Sequence, residues 1–289
     1  MNLFSGLEKF GLKLDNNKNI YEEDKKEAAA KAEAEVKVAK KVEIPPEETF
    51  LLDKTVRCIV CDKVFKTKAV KSRVRRMEPD MDLRPHHEGI DTLKYKVVSC
   101  PNCGYTAMSS YFDHLSGGQQ KLIREQVSAN FKPSGEPEPP LISYDMAIDR
   151  YKLSLFNTIV KKGKTSEKAY ICLNLAWLCR GKAESLEEGK PETEAAKKEC
   201  KEQEEEFYGQ AYEGFVKAMS TEPFPICGMD QCTFEYLLTV MSYHFKKFDM
   251  ASRCIANILN SSMASSKMKD KALELKSIVM AEMKNNKQA

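Results

Sequence analysis

The sequence predicts a multidomain α+β fold, mainly α, with a small cysteine-bearing β domain followed by a helical-repeat domain. Three observations carry this. Two C-x2-C pairs, Cys58/Cys61 and Cys100/Cys103, sit beside β-branched runs, TVRCIVC and LKYKVVSC. From residue 140 onward, apolar residues recur at helical spacing to the end of the chain. Between the two regions lies PSGEPEPP, a proline-rich linker at 133–140. The β part is zinc-ribbon-like and the helical part tetratricopeptide-like, for reasons given below.

The totals set the bounds. A chain of 289 residues has room for about two domains. A net charge of +3 favours no charged partner on its own, so the local distribution of charge has to decide. No run approaches the roughly 18 apolar residues of a membrane span. MNLFSGLEKFGLKL lacks the basic start, long apolar run and small-residue cleavage site of a secretion signal. The expectation is a cytoplasmic protein whose ten cysteines are thiols, metal ligands or small core residues, not a disulfide framework.

Each element follows in order. In residues 1–20, Leu3, Leu7, Phe10 and Leu14 share one face of an amphipathic segment. Residues 21–49 form a charged, low-complexity Ala/Glu/Lys linker ended by Pro45 and Pro46, with little to bury. Residues 50–115 are the β domain. VFKTKAVKSRVRR reads as an exposed strand, paired in a long hairpin with TLKYKVV. Residues 116–139 are a helix carrying Leu122, Ile123 and Val127, then the connector. In 140–289, helices are expected over DMAIDRYKLSLFNTIVKKG, stopped by Gly163, and over SEKAYICLNLAWLCRG, with Ser166 as N-cap. A long charged helix runs from Pro191 to Ser220, and three more follow TEPFPICGMD. Phe248, Ala251, Ile255 and Ile258 fit a tetratricopeptide second helix, as do Ala211, Phe215 and Ala218 in part. Ala176 takes the small position of a first helix, and Thr239 stands at the equivalent place. A generic helical bundle would bury the same faces.

Two C-x2-C knuckles on separate turns can bring four thiolates to one tetrahedral centre, as zinc prefers. Cys58, Cys61, Cys100 and Cys103 are therefore the candidate ligands of one structural Zn2+. Gly104 follows the second knuckle, where a left-handed backbone is easiest. An iron–sulfur cluster takes the same four ligands and stays open, whereas a redox C-x-x-C lacks its usual βαβ setting. His86 and His87 are expected in an exposed turn. Cys172, Cys179 and Cys254 lie on apolar helical faces, Cys200 on a charged helix, and Cys227 and Cys232 flank a turn.

The strongest local charge bias follows the first knuckle. Lys66, Lys68, Lys71, Arg73, Arg75 and Arg76 are candidate nucleic-acid contacts. The competing reading is a solvated edge strand whose cations pair with the acids that follow. With four histidines, and without G-x-S-x-G, H-E-x-x-H or a phosphate-cradling glycine loop, no enzyme is expected and no small-molecule substrate is inferred. Asp82 and Arg84 could be functional residues, and the simpler reading of them is a local turn ion pair.

CIVCDKVFKTKAVKSRVRR, DMDLRPHHEGIDTLKYKVVSCPNCGYTA, LNLAWLCR and YLLTVMSY, in that order, resemble a bacterial family known as domain of unknown function 2225. The resemblance spans about residues 50–260, and GLEKFGL is similar too. It implies a metal-binding ribbon followed by tetratricopeptide-like helices, with Cys58, Cys61, Cys100 and Cys103 as ligands, and it implies no activity. Ile59-Val60 and His86-His87 depart from the more usual Pro and aromatic residues and leave the thiols intact. The expected function is a metal-binding adaptor that takes a protein or peptide partner on its helices. Nucleic-acid binding through 63–76 and thiol or metal sensing are the alternatives.

Overall fold

The computed structural model describes residues 45–133, 135 and 138–288. The amphipathic segment 1–20 and residues 21–44 of the expected linker lie outside the described residues. The elements are β1 (Leu51–Arg57), β2 (Val64–Val70), β3 (Val97–Ser99), β4 (Thr106–Met108), α1 (Gly117–Ile123), α2 (Tyr144–Val160), α3 (Thr165–Ser185), α4 (Pro191–Thr221), α5 (Gln231–His244), α6 (Phe248–Asn260) and α7 (Ser266–Gln288). The architecture is mainly helical, with two small two-stranded sheets.

Both sheets are antiparallel hairpins. β1 pairs with β2 from Leu51↔Val70 to Arg57↔Val64, and β3 pairs with β4 from Val97↔Met108 to Ser99↔Thr106. The expected long hairpin between VFKTKAVKSRV and TLKYKVV is therefore corrected. Thr92–Tyr95 coil into a 3-10 turn, because the Asp91 carboxylate accepts the Leu93 N–H at 3.0 Å and caps it. The basic strand is shorter than expected as well. Its ladder ends where the Lys71 N–H donates to the Phe50 carbonyl at 2.8 Å, and Phe50 closes a 3-10 turn, Glu47–Phe50, that cannot extend β1 backwards.

The helices begin and end for local reasons. α1 opens on a capping box between Ser116 and Gln119 and passes into a wider turn at Arg124–Ser128. α2 is capped by Ser143 and ends at Val160, with Lys162 rather than Gly163 taking the left-handed conformation. Ser166 does not cap α3, which starts one residue earlier. Instead the Ser166 N–H donates at 2.9 Å to the carboxylate of Glu222, just beyond α4. α3 and α4 lie close where Gly214 faces Ala169, and a Cβ added at Gly214 would stand 2.7 Å from the Ala169 Cβ.

Successive helices pack on one another, and three apolar clusters result. The largest joins Leu93, Tyr95, Val97 and Met108 of the β region to α2, α3, α4 and α5 through Ile148, Tyr151, Leu173, Phe215 and Leu237. A second surrounds the cysteine knuckles and takes in Ile123, Val127 and Val160. The third lies among α5, α6 and α7, where Ala251, Ile255 and Ile258 are buried. Thr239 is fully buried, and its hydroxyl donates back to the Glu235 carbonyl at 2.7 Å, which satisfies the polar group this position carries.

Candidate metal centre

Each C-x2-C pair sits at the tip of one hairpin, and the two tips repeat the same local geometry. The Cys58 N–H donates to the Lys63 carbonyl and the Asp62 N–H to the Cys58 carbonyl, at 2.9 and 2.8 Å. The Cys100 N–H donates to the Tyr105 carbonyl and the Gly104 N–H to the Cys100 carbonyl, at 2.8 and 3.1 Å. The residue after the second cysteine is left-handed in both, Asp62 at φ 66° and Gly104 at φ 71°. At Asp62 a side chain occupies that conformation, and its carboxylate accepts a forked pair of bonds from Arg57 at 2.8 and 2.6 Å.

The two tips face each other. The four Sγ atoms lie within 4.8 Å of one another, with Cys58 to Cys103 and Cys61 to Cys100 both at 3.6 Å. A disulfide needs about 2.05 Å. Four sulfurs about 2.3 Å from one tetrahedral centre stand ~3.8 Å apart, close to what is found here. Three of the thiols are buried and Cys61 is half-buried. The electrostatics ask for a cation too. Cys100 is pulled to about 2, chiefly by the hydrogen bond from Cys103. Cys58 is pushed up to about 12, chiefly by its bond to Cys100, and Cys103 rises far above the ordinary thiol range for the same reason. A negative Cys100 sulfur thus disfavours ionisation of Cys58 and Cys103, and a positive ion among them would relieve that repulsion. The four cysteines are placed to hold a single metal ion, and four protein ligands leave no open position on a tetrahedral one.

Helices grip both tips. The Arg124 guanidinium donates to the Val60 carbonyl at 2.8 Å, and the Asn157 amide to the Gly104 carbonyl at 3.1 Å. Phe131 covers Gly104 so closely that an added Cβ would lie 2.4 Å from its ring. Gly104→Ala is expected to cost about 1–3 kcal/mol by urea denaturation, from the left-handed backbone and the ring contact together. Gly104→Ala combined with Phe131→Ala should recover the ring contact and not the backbone part.

The DMDLRP segment is a second focus, which the turn reading missed. Asp82 and Arg84 do not pair with each other. The Asp82 carboxylate accepts the Trp177 indole N–H and an Arg180 N–H, both at 2.9 Å, while Arg84 forks onto Glu184 at 2.9 and 2.8 Å. Arg180 also reaches Glu204 at 2.7 Å and Asp80 at 3.3 Å. Leu83, between Asp82 and Arg84, is left-handed at φ 67°, which turns both side chains toward α3. His86 bonds Asp80 at 2.7 Å and His87 bonds the Thr92 hydroxyl at 3.2 Å, so neither histidine belongs to the thiol cluster. Two acids, Asp80 and Asp82, and one base, Arg84, spaced two apart in a Pro-bounded stretch were the available signal; the α3 partners of Asp82 and Arg84 lie about a hundred residues away.

The candidate nucleic-acid contacts divide into two groups. Lys68 pairs with Asp53 at 2.7 Å, Lys71 donates to the Thr49 carbonyl at 2.7 Å, and Arg75 stands 3.8 Å from Glu88. Lys66, Arg73 and Arg76 have no carboxylate in ion-pair range among the described residues. Cys172, Cys179, Cys200 and Cys254 are buried, and Cys227 and Cys232 go to separate partners, Ser166 and Ser261. No described helix is long and apolar enough to cross a membrane.

Comparison with curated proteins and with solved structures yields no match. A family model does match, over residues 51–279, from the first residue of β1 to the buried Val279 of α7, and takes in all four knuckle cysteines and the DMDLRP segment. The chain belongs to the bacterial family described as "Uncharacterized protein conserved in bacteria (DUF2225)".

Proposed function

We propose that this protein is a non-enzymatic adaptor in which one structural Zn2+ joins the tips of the two β hairpins, and that α6 and α7 hold an amphipathic helix of a partner protein. Zinc is favoured over iron because a closed, buried tetrahedron of thiolates in a small domain is its usual structural setting. The observation that carries the adaptor reading is a groove between α6 and α7 of about 580 Å³, lined by Ile255, Leu259, Val279, Met280 and Met283. Lys276 and Lys284 rim it and no acidic side chain lines it, so the complementary occupant is a helix with an apolar face and acidic edges. Its methionines can repack around differing side chains. Tetratricopeptide-like pairing of α5 with α6 belongs to this reading, since stacked helix pairs leave such a surface at their end.

The test is capture from nuclease-treated cells by the full chain, with Met280→Glu as the comparison. Met280 is 49% exposed, so the change leaves the core alone and puts a negative charge against an acidic edge. A partner held by the parent and weakened tenfold or more by Met280→Glu is the expected result. A partner that leaves on nuclease treatment, or that is lost only when Lys66 and Arg73 become Gln, would move the function to β2 and the segment after it.

A further inference from the structure

A second cavity, of about 790 Å³, lies between the segment after β2, the DMDLRPHH loop and the faces of α3 and α5. It shares no lining residue with the groove between α6 and α7, and it does not depend on the adaptor reading. Its volume falls in the ordinary range for small-molecule sites, about 300–1,000 Å³.

Its lining is divided by chemistry. Five cations, Lys54, Lys68, Lys71, Arg76 and Lys96, border it together with His86 and His87, and no carboxylate does. The remainder is largely apolar and includes Val74, Met77 and Leu83 beside the almost wholly buried Trp177 and Leu237. Lys68 pairs with Asp53, whereas Lys71 donates only to the neutral Thr49 carbonyl and Lys54 has no ion pair among the described residues; Arg76 and Lys96 are the two cations whose charge acts on His87. Neither has a carboxylate in ion-pair range among the described residues. A partly buried ammonium without a carboxylate in ion-pair range is costly, and an anion in the site would offset that cost. Two groups register the positive field, which Asp91 offsets only in part. Burial lowers Lys96, Asp91 opposes this, and Arg76 lowers it further. Burial lowers His87, Arg76 and Lys96 add to the shift, and Asp91 opposes it.

We propose that this cavity binds a small phosphate ester with an apolar body, the phosphoryl group between Lys96 and Arg76 and the body against Trp177 and Leu237. A dianionic head suits a lining in which several cations lack a carboxylate partner better than a monocarboxylate does. Thr67, Thr92 and Ser109 supply hydroxyls on the same lining for the remaining oxygens. The apolar wall gives the ligand a second point of attachment that inorganic phosphate lacks.

Trp177 is the chain's one tryptophan, so its emission reports on this wall without labelling. The experiment titrates the full-length protein with phenyl phosphate, inorganic phosphate, phenol and benzoate at constant ionic strength, by Trp emission and by calorimetry. Saturable binding of phenyl phosphate is expected, about tenfold or more tighter than any of the other three. Lys96→Met and Arg76→Gln should each weaken it about tenfold or more, and Lys63→Gln, which does not line the cavity, should leave it unchanged. Arg76 is exposed, so its variant keeps the test valid if Lys96→Met fails to fold. Absence of saturable binding, equal affinity across the three variants, or benzoate binding as tightly as phenyl phosphate would overturn the proposal.

Discussion

Cys103→Ser is expected to carry no stoichiometric metal by atomic emission and to melt about 8–16 °C below the parent protein, for which one ion per chain is the expected result. An ion held at a thousand times its dissociation constant stabilises the folded chain by about 4 kcal/mol, and each kcal/mol is worth about 2–4 °C in a domain of this size. Ser is close to Cys in shape, so little of the loss comes from packing. The control is Cys172→Ser, at a buried thiol outside the cluster, which should keep full metal. A chelator should bring the parent down to the Cys103→Ser midpoint and leave that variant unmoved. Equal metal content in the two proteins would remove the centre from the account. Because metal binding releases thiol protons, the stabilisation present at neutral pH is lost as pH falls and protons reclaim the sulfurs.

Asp82→Ala is expected to cost about 3–5 kcal/mol by urea denaturation and to change the emission of Trp177. The Asp82 carboxylate is almost wholly buried and accepts from both Trp177 and Arg180, so its removal strands an indole N–H and one arm of a guanidinium. Arg180 keeps Glu204 and Asp80 and is partly open to water, which places the loss nearer the lower end. Asp82→Asn retains an oxygen for the indole and loses the charge, so it should cost less and leave the emission closer to that of the parent. Should Asp82→Ala and Asp82→Asn prove equally mild, below about 1 kcal/mol, the network would be a surface feature without structural weight.

What could be read from the sequence was what lies close along the chain. Cys58 with Cys61, and Cys100 with Cys103, announce themselves because a knuckle is a local turn. The long charged helix was read as Pro191–Ser220 and is found at Pro191–Thr221, because a proline at the start and a Pro-containing break after it bound the periodic run. Strand partners were not readable. VFKTKAV alternates whichever strand lies beside it, and the strand found there is β1, joined to it by the Cys58–Cys61 knuckle. TLKY carries strand-forming residues, yet one carboxylate, Asp91, turns it into a coil. Asp82 and Arg84 were misjudged for the same kind of reason. Charged residues beside a proline look like surface turn residues until Trp177, Arg180 and Glu184 come in from α3. Lys68, Lys71 and Arg76 of the cavity were legible as basic, Lys96 was not singled out, and the cavity acquires a shape only when β2, the DMDLRPHH loop and α3 are assembled.

The helices' grip on the two knuckles bears on how the chain is made. Val60 waits 64 residues for Arg124, and Gly104 waits 53 for Asn157. On a ribosome adding about 5–20 residues per second, the second interval alone lasts roughly 3–10 s. Until Tyr144 is added, 40 residues after Gly104, the nascent chain holds a full set of four thiols and none of the helix that will brace the second tip. A metal ion captured in that interval would fix the two hairpins before α2 arrives to dock on them. Without one, four thiols wait together, unbraced and open to oxidation, until α2 is made.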